Sequence, residues 1–193
     1  MKLNKENLEK TPLFIAEVGQ NHQGSIDYIF EYIRIFSLAG ANVIKFQKRD
    51  NRFLFDSAKY NAPYDHENAF GLTYGEHREH LELKAEWLPE IKEACKAANV
   101  LFMCTPFDEH SLELLVKHDV DILKVASFDL GNIPLLDKMA STGKPVVMSV
   151  GGGQAHQIKT SITALERVQE KVILHCVSEY PCPPERLGLN NIE

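Results

Sequence analysis

The chain has 193 residues, 44% apolar and 25% charged, enough for one soluble globular domain with its own core. A formal charge of -6 argues against a nucleic-acid binder, which needs a basic footprint to displace counterions, but leaves room for a small anionic substrate held by local lysines. No apolar run is long enough to span a bilayer, and the polar lead at 1–11 lacks the apolar core of a signal peptide, so a cytoplasmic protein away from membranes is expected.

In chain order, short apolar runs alternate with amphipathic segments. The runs are LFIAEVG (13–19), ANVIKFQ (41–47), NVLFMCT (99–105), DILKVAS (121–127), KPVVMSV (144–150) and KVILHCV (171–177). Their nearly continuous hydrophobicity suits parallel strands buried on both faces. After the first run, Ser25 is placed to cap a helix with Ile26, Ile29, Phe30, Ile33 and Phe36 on one side and Gly40 as its stop. After the second comes an insertion, 48–83, holding Tyr60, Tyr64, His66, Tyr74, His77, Arg78 and His80. A connection of that length is expected to be functional. Trp87, Leu88, Ile91, Ala94, Cys95 and Ala98 then follow helical spacing. Asp108 caps a shorter helix with Leu112, Leu115 and Val116 inward; Leu135, Leu136 and Met139 lead to a stop at Gly143; Ile158, Ile162 and Leu165 mark the last helix. Cys95, Cys104, Cys176 and Cys182 show no metal or redox spacing and read as reduced thiols, the first three as buried small hydrophobes.

Strict alternation of strand and helix implies a parallel sheet, either open and doubly wound or closed into a barrel. No G-x-G-x-x-G follows the first run, which weakens the dinucleotide-binding version. A barrel keeps its chemistry where the strands end. There stand Glu17 to His22, Lys45 to Arg49, Thr105 to Asp108, Lys124 and Ser127, Ser149 with Gly151–Gly153, and His175, Ser178 and Tyr180.

A lysine inside an apolar strand is costly unless it meets an anion, so Lys45 and Lys124 together suggest one anionic ligand. The plain alternative is that each snorkels to solvent or pairs with Glu17. Ser127, Thr105 and Ser149 add neutral donors, and the three glycines could let backbone N–H groups approach a phosphate. Glu17 is either a structural ion-pair partner or a carboxylate that orients substrate or handles a proton. His22 and His175 read as hydrogen-bonded scaffold, and His77 and His80 as solvated.

The strings FIAEVGQNHQGS, AGANVIKFQKRD, YGEHRE, FMCTPFD, LKVASFDL, GKPVVMSVGGG and LHCVSEYPCPPERLGLNNI, in this order, resemble the N-acetylneuraminate (sialic acid) synthase family. The insertion's KRD and YGEHRE are similar to its spore-coat polysaccharide and bacterial nonulosonate branch. The resemblance implies an α/β fold, a (β/α)8 TIM-type barrel with six of its eight βα units in this chain. It implies condensation of phosphoenolpyruvate with an N-acylated hexosamine such as N-acetylmannosamine, giving a nine-carbon 2-keto sugar acid and phosphate. It implies that Lys45, Thr105, Lys124, Ser127, Ser149, Ser178 and Tyr180 line the phosphoenolpyruvate site, with Glu17 at the reacting carbons or the sugar and Gln47 and Tyr74 at the sugar. The family more often has S-T-G-M where this chain has Ser149–Val150–Gly151–Gly152, and often Asn in place of Ser178.

The family also uses a divalent metal, Mn2+ or Mg2+, whose histidine ligands would lie beyond Glu193. The resemblance also implies a C-terminal antifreeze-like domain, expected to be absent from this chain, and a homodimer for the complete enzyme. The chain therefore reads as an incomplete barrel domain over 1–193, inactive alone and exposing apolar surface beside its last strand. A related phosphoenolpyruvate-using keto-sugar-acid synthase, or a non-catalytic binding or assembly module, are the other readings.

Overall fold

The computed structural model describes Leu8 and Lys10–Ile192, so most of the polar lead at 1–11 lies outside the described residues. Two compact units can be distinguished, one of Pro12–Asp121 and one built on the segment from Ile122 onward.

In the first unit, β1 (Ile15–Gly19), β2 (Val43–Lys48) and β3 (Leu101–Pro106) form a parallel sheet in chain order. Phe46 and Phe102 meet edge-on, 5.9 Å between ring centroids, in the core. Helix α1 (Ile26–Leu38) begins where Ser25 caps it and turns its Ile29 and Ile33 inward. Gly40 follows with φ +92, a left-handed conformation that suits glycine at a helix stop.

The insertion after β2 is folded. It holds three short helices, α2 (Asn51–Leu54), α3 (Ser57–Tyr60) and α4 (Tyr74–His80). Asp50 and Asp56 cap the first two, and Thr73 and Glu76 form a reciprocal capping box at the third. A bridge between Pro63 and Thr73 closes the intervening turn. Tyr60 donates its hydroxyl to Glu79 at 3.1 Å, tying α3 to α4. His77 packs on Tyr64 at 4.6 Å and is half-buried, so it is not simply solvated, whereas His80, which stacks on Phe70 with centroids 4.5 Å apart, stays exposed as the sequence reading had it.

Helix α5 (Leu88–Ala97) buries Leu88, Ile91 and Cys95, while Trp87 sits just before it in a 3-10 turn. Asp108 caps α6 (Glu109–Lys117) as expected, accepting from the Ser111 N–H, and buries Leu112 and Leu115 with it; Val116 is only half-buried.

In the second unit, β4 (Ile122–Val125), β5 (Val146–Ser149) and β6 (Lys171–Leu174) are again parallel and in chain order. They alternate with α7 (Ile133–Ser141) and α8 (Ala155–Ala164). Leu135, Leu136 and Met139 face inward as the spacing predicts. Every residue of β4 and β5 is buried, whereas β6 is half-open and leaves Ile173 39% exposed. A cavity of 1120 Å³ lies against it, lined by Ile158, Ile173, Leu174 and Val177 among others. Cys176 is half-buried rather than buried, because β6 ends before it.

Candidate active site

Alternation decides what β2 shows on each side. Ile44, Phe46 and Lys48 are buried, and Lys45 and Gln47 share the other, more open face. Glu17 is the in-register neighbour of Lys45 across the β1–β2 ladder. The Glu17 carboxylate accepts from Lys45 Nζ and, at 3.0 Å, from Gln47 Nε2. The ion pair offered by the plain alternative for Lys45 is therefore formed. A lysine held against an open carboxylate can still be claimed by a stronger anion, since the pair is not enclosed. Thr105 sits opposite Gln47 on β3 and is buried. Tyr74, at the start of α4, packs edge-on against Phe55 and Tyr64, with Lys59 Nζ 4.4 Å from its ring centroid.

Behind this face lies a pair the sequence reading missed. Lys48 donates to Glu82 at 3.2 Å, and both side chains are enclosed. Glu82 also accepts the Arg49 backbone N–H at 2.8 Å. Burial raises the Glu82 carboxyl above its ordinary range, against the pull of Lys48 and of that N–H. Asp108 does more than cap α6: its Oδ2 accepts the Asp50 backbone N–H at 2.7 Å, fixing the chain just past β2. A charged residue just inside the insertion, Lys48, was the only available signal of either contact.

In the second unit, Lys124 is 7% exposed and donates to Ser149 Oγ at 2.6 Å and to the Val125 carbonyl at 2.7 Å. Ser127 Oγ accepts the Gly151 N–H at 3.0 Å, so one of the glycine N–H groups is already engaged. A Cβ at Gly151 would lie 2.8 Å from Ser178 Oγ and 3.2 Å from Cys176 Cβ, so a larger residue would make the Ser178 hydroxyl turn aside. Ser127, Gly151, Ser178 and Tyr180 line a cavity of 530 Å³, into which Tyr180 brings a side chain that is 93% exposed. The structure thus groups Glu17, Lys45 and Gln47 in one unit, with Thr105 across the ladder, and Lys124 with Ser149 and Ser127 with Ser178 and Tyr180 in the other.

Both scaffold histidines behave as expected. His175 Nε2 lies 2.6 Å from the Leu187 carbonyl. His22 is fully buried and its Nδ1 accepts the Gly24 N–H at 3.2 Å. Burial lowers its pKa to about 4. Because the folded pKa lies below the unfolded one, His22 favours the native state above about pH 6.5, and that contribution is lost as pH falls toward 4. Between pH 7 and pH 4 the loss is expected to reach about 2–3 kcal/mol. Denaturant titrations at both pH values check it. His22→Asn, which keeps an acceptor for Gly24, is expected to flatten the pH dependence.

Residues 32–193 match the NeuB family. The chain belongs to the NeuB family. N-acetylneuraminate-9-phosphate synthase of Mus musculus is 36% identical over 95% of this chain and 52% of its own length. Spore coat polysaccharide biosynthesis protein SpsE of Bacillus subtilis is 32% identical over 98% of the chain and 51% of its own. N,N'-diacetyllegionaminic acid synthase of Campylobacter jejuni is 30% identical over 95% and 57%. The chain spans about half the length of the curated relatives it matches. Among solved structures, the sialic acid synthetase of Leptospira borgpetersenii in complex with citrate superposes with a TM-score of 0.78 at 32% identity, covering 93% of this chain and 59% of that one. A truncated 3-deoxy-D-arabino-heptulosonate 7-phosphate synthase from Thermotoga maritima, 15% identical with a TM-score of 0.57 over 83% of this chain and 50% of its own, shares the fold alone. This NeuB-family chain therefore has the α/β barrel fold expected from its sequence, with six parallel βα-type strands.

Proposed function

We propose that this NeuB-family chain carries part of the catalytic barrel of a nonulosonate synthase. The enzyme joins phosphoenolpyruvate to an N-acylated hexosamine and, with water, yields a nine-carbon 2-keto sugar acid and inorganic phosphate, for surface polysaccharide biosynthesis. The observation that carries the reading is Lys124, a cation enclosed at the end of a fully buried strand and bonded to Ser149, in a chain whose matched relatives are named as synthases of such acids.

In this reading Lys124, Ser149, Ser127 and Ser178 hold the carboxylate and phosphate of phosphoenolpyruvate, with Tyr180 closing over them. The family resemblance assigns Lys45 to the same anion, whose charge it would offset. Thr105 adds a neutral donor. As C3 of phosphoenolpyruvate bonds to the sugar aldehyde carbon, the aldehyde oxygen takes a proton, and water adds at C2 before phosphate departs. Glu17 orients the sugar or handles that proton, and Gln47 and Tyr74 position the sugar.

The whole enzyme is proposed to be a cytoplasmic homodimer using Mn2+ or Mg2+. Among the described residues no group of three or more His, Cys, Asp or Glu could hold a metal ion. No helix among the described residues is long and apolar enough to cross a membrane. This chain alone is proposed to bind substrate without turning it over.

Calorimetric titration of phosphoenolpyruvate tests the reading. The chain is expected to bind it, and Lys124→Ala is expected to weaken binding about tenfold, the loss of one charge-assisted contact. Adding Lys45→Ala should abolish it. A folded chain that ignores phosphoenolpyruvate, or a double variant that binds it equally well, overturns the proposal.

A further inference from the structure

Arg49 follows the end of β2 and reaches back to the strand's open face, where its Nη2 donates to Gln47 Oε1 at 2.6 Å. Gln47 donates from Nε2 to Glu17 Oε1 at 3.0 Å, and Glu17 accepts from Lys45. Direction along this chain of contacts is fixed by chemistry. A guanidinium can only donate and an ionised carboxylate can only accept, so the amide between them has one orientation that satisfies both, oxygen toward Arg49 and nitrogen toward Glu17. Turned over, it would set N–H against N–H and oxygen against oxygen. The flank of the Gln47–Glu17 bond is clear, because Gly19 stands there without a side chain: a Cβ would lie 3.0 Å from Glu17 Oε1 and 3.3 Å from Gln47 Nε2. Arg49 is itself held in place. Its guanidinium lies over the Phe107 ring at 3.9 Å, and Glu82 accepts its backbone N–H at 2.8 Å. Burial, and next the charge of Arg78 on α4, lower its pKa to about 10, which leaves it a cation at neutral pH. Half-burying a cation beside a second one is unfavourable, and an apolar chain on Phe107 would fill the same space without that penalty. What only the guanidinium supplies is the donor to Gln47.

We propose that Arg49 is a positioning residue for the acceptor sugar, holding the Gln47 amide in one orientation so that its nitrogen stays on Glu17. The proposal rests on the reading of Glu17 and Gln47 as the acceptor end of the active site. With one Nε2 hydrogen on Glu17 and one Oε1 lone pair on Arg49, the amide keeps a single N–H and a single lone pair for a ligand. It is then a fixed donor and acceptor side by side, a match for a hydroxyl or an N-acyl group, and it does not have to be ordered when the sugar binds. Arg49 touches neither the sugar nor the reacting atoms in this role; it acts through Gln47 alone.

Arg49→Met tests this, since it keeps a flexible apolar chain over Phe107 and removes the donor. In the 193-residue chain, nitrogen relaxation of the Gln47 side-chain amide is expected to show an order parameter near that of rigid backbone in the wild type and below about 0.6 in Arg49→Met. Binding of N-acetylmannosamine should weaken about threefold to tenfold, the range of one hydrogen bond, with phosphoenolpyruvate affinity unchanged. Arg49→Lys, which keeps a charged donor, should restore part of both. In a Gln47→Ala background, Arg49→Met should have no further effect on sugar affinity, whereas a merely structural role would weaken binding again. Thermal melting confirms that each variant is folded; should Arg49→Met fail to fold, the wild-type amide and Arg49→Lys decide, the amide of the latter having to be the looser. A wild-type amide that is already mobile, one that stays rigid in Arg49→Met, or equal losses of sugar affinity with and without Gln47 overturns the positioning role. So does a parallel loss of phosphoenolpyruvate affinity, which would mark a general disturbance of the fold. If the wild type binds the sugar while these measurements fail, only the positioning role falls. If the wild type binds no N-acetylmannosamine, the acceptor reading falls with it.

Discussion

Glu82→Leu is expected to destabilise the first unit by about 3–5 kcal/mol, the usual consequence of removing one partner from an enclosed ion pair. The substitution leaves Lys48, 7% exposed, without its carboxylate, and leaves the Arg49 backbone N–H without its acceptor. Lys48 keeps the Arg49 carbonyl at 2.8 Å, which is too little to hold an ammonium away from water. Because burial already pushes the Glu82 carboxyl upward, the pair gives little net stability compared with apolar groups of the same size. Lys48→Met with Glu82→Leu is therefore expected to lose less than Glu82→Leu alone. Urea unfolding of the two variants and the wild type separates the outcomes. Equal losses in both would show that the Arg49 N–H, not the ion pair, dominates.

Gly24→Ala is expected to cost about 3 kcal/mol, from two separate causes. Gly24 has φ +73, where an alanine is strained, and a Cβ built there would lie 2.3 Å from the His80 backbone carbonyl oxygen. That oxygen belongs to the last residue of α4 and cannot swing aside as a flexible side chain would. The clash must push α4 away from the turn after β1. The Gly24 N–H that His22 accepts would move with it. Thermal denaturation gives the magnitude, and hydrogen exchange should show lost protection in α4 and the 20–25 turn. A change confined to the turn would mean that α4 yields without cost.

The strands were legible because each is a nearly continuous apolar run bounded by polar residues, and their parallel pairing followed from the helices between them. Their ends were read too long: DILKVAS stops at Val125 and KVILHCV at Leu174. The polar residues beyond leave the ladder. Ser127 turns to the Gly151 N–H and His175 to the Leu187 carbonyl. Segment 48–83 looked like an unstructured connection because none of its helices exceeds seven residues, too short for a helical period to show. Its order comes from caps and ring contacts instead. The Lys45–Glu17 pair was foreseeable, since an in-register neighbour is the natural partner of a strand residue. Lys48–Glu82 and Arg49–Arg78 were not, because each joins residues brought together only when the insertion folds back on β2.

The alternation along β2 also limits how such a protein can diverge. Lys45 and Gln47 stand on one face and Ile44, Phe46 and Lys48 on the other. Deleting a single residue within the strand would exchange the two sets, driving the polar pair into the core and the phenylalanine out. The strand is therefore intolerant of a one-residue change in length. Length can vary with less disturbance past Lys48, in the turns between the short helices of the insertion that supplies Tyr74, so new substrate preferences are most cheaply acquired there.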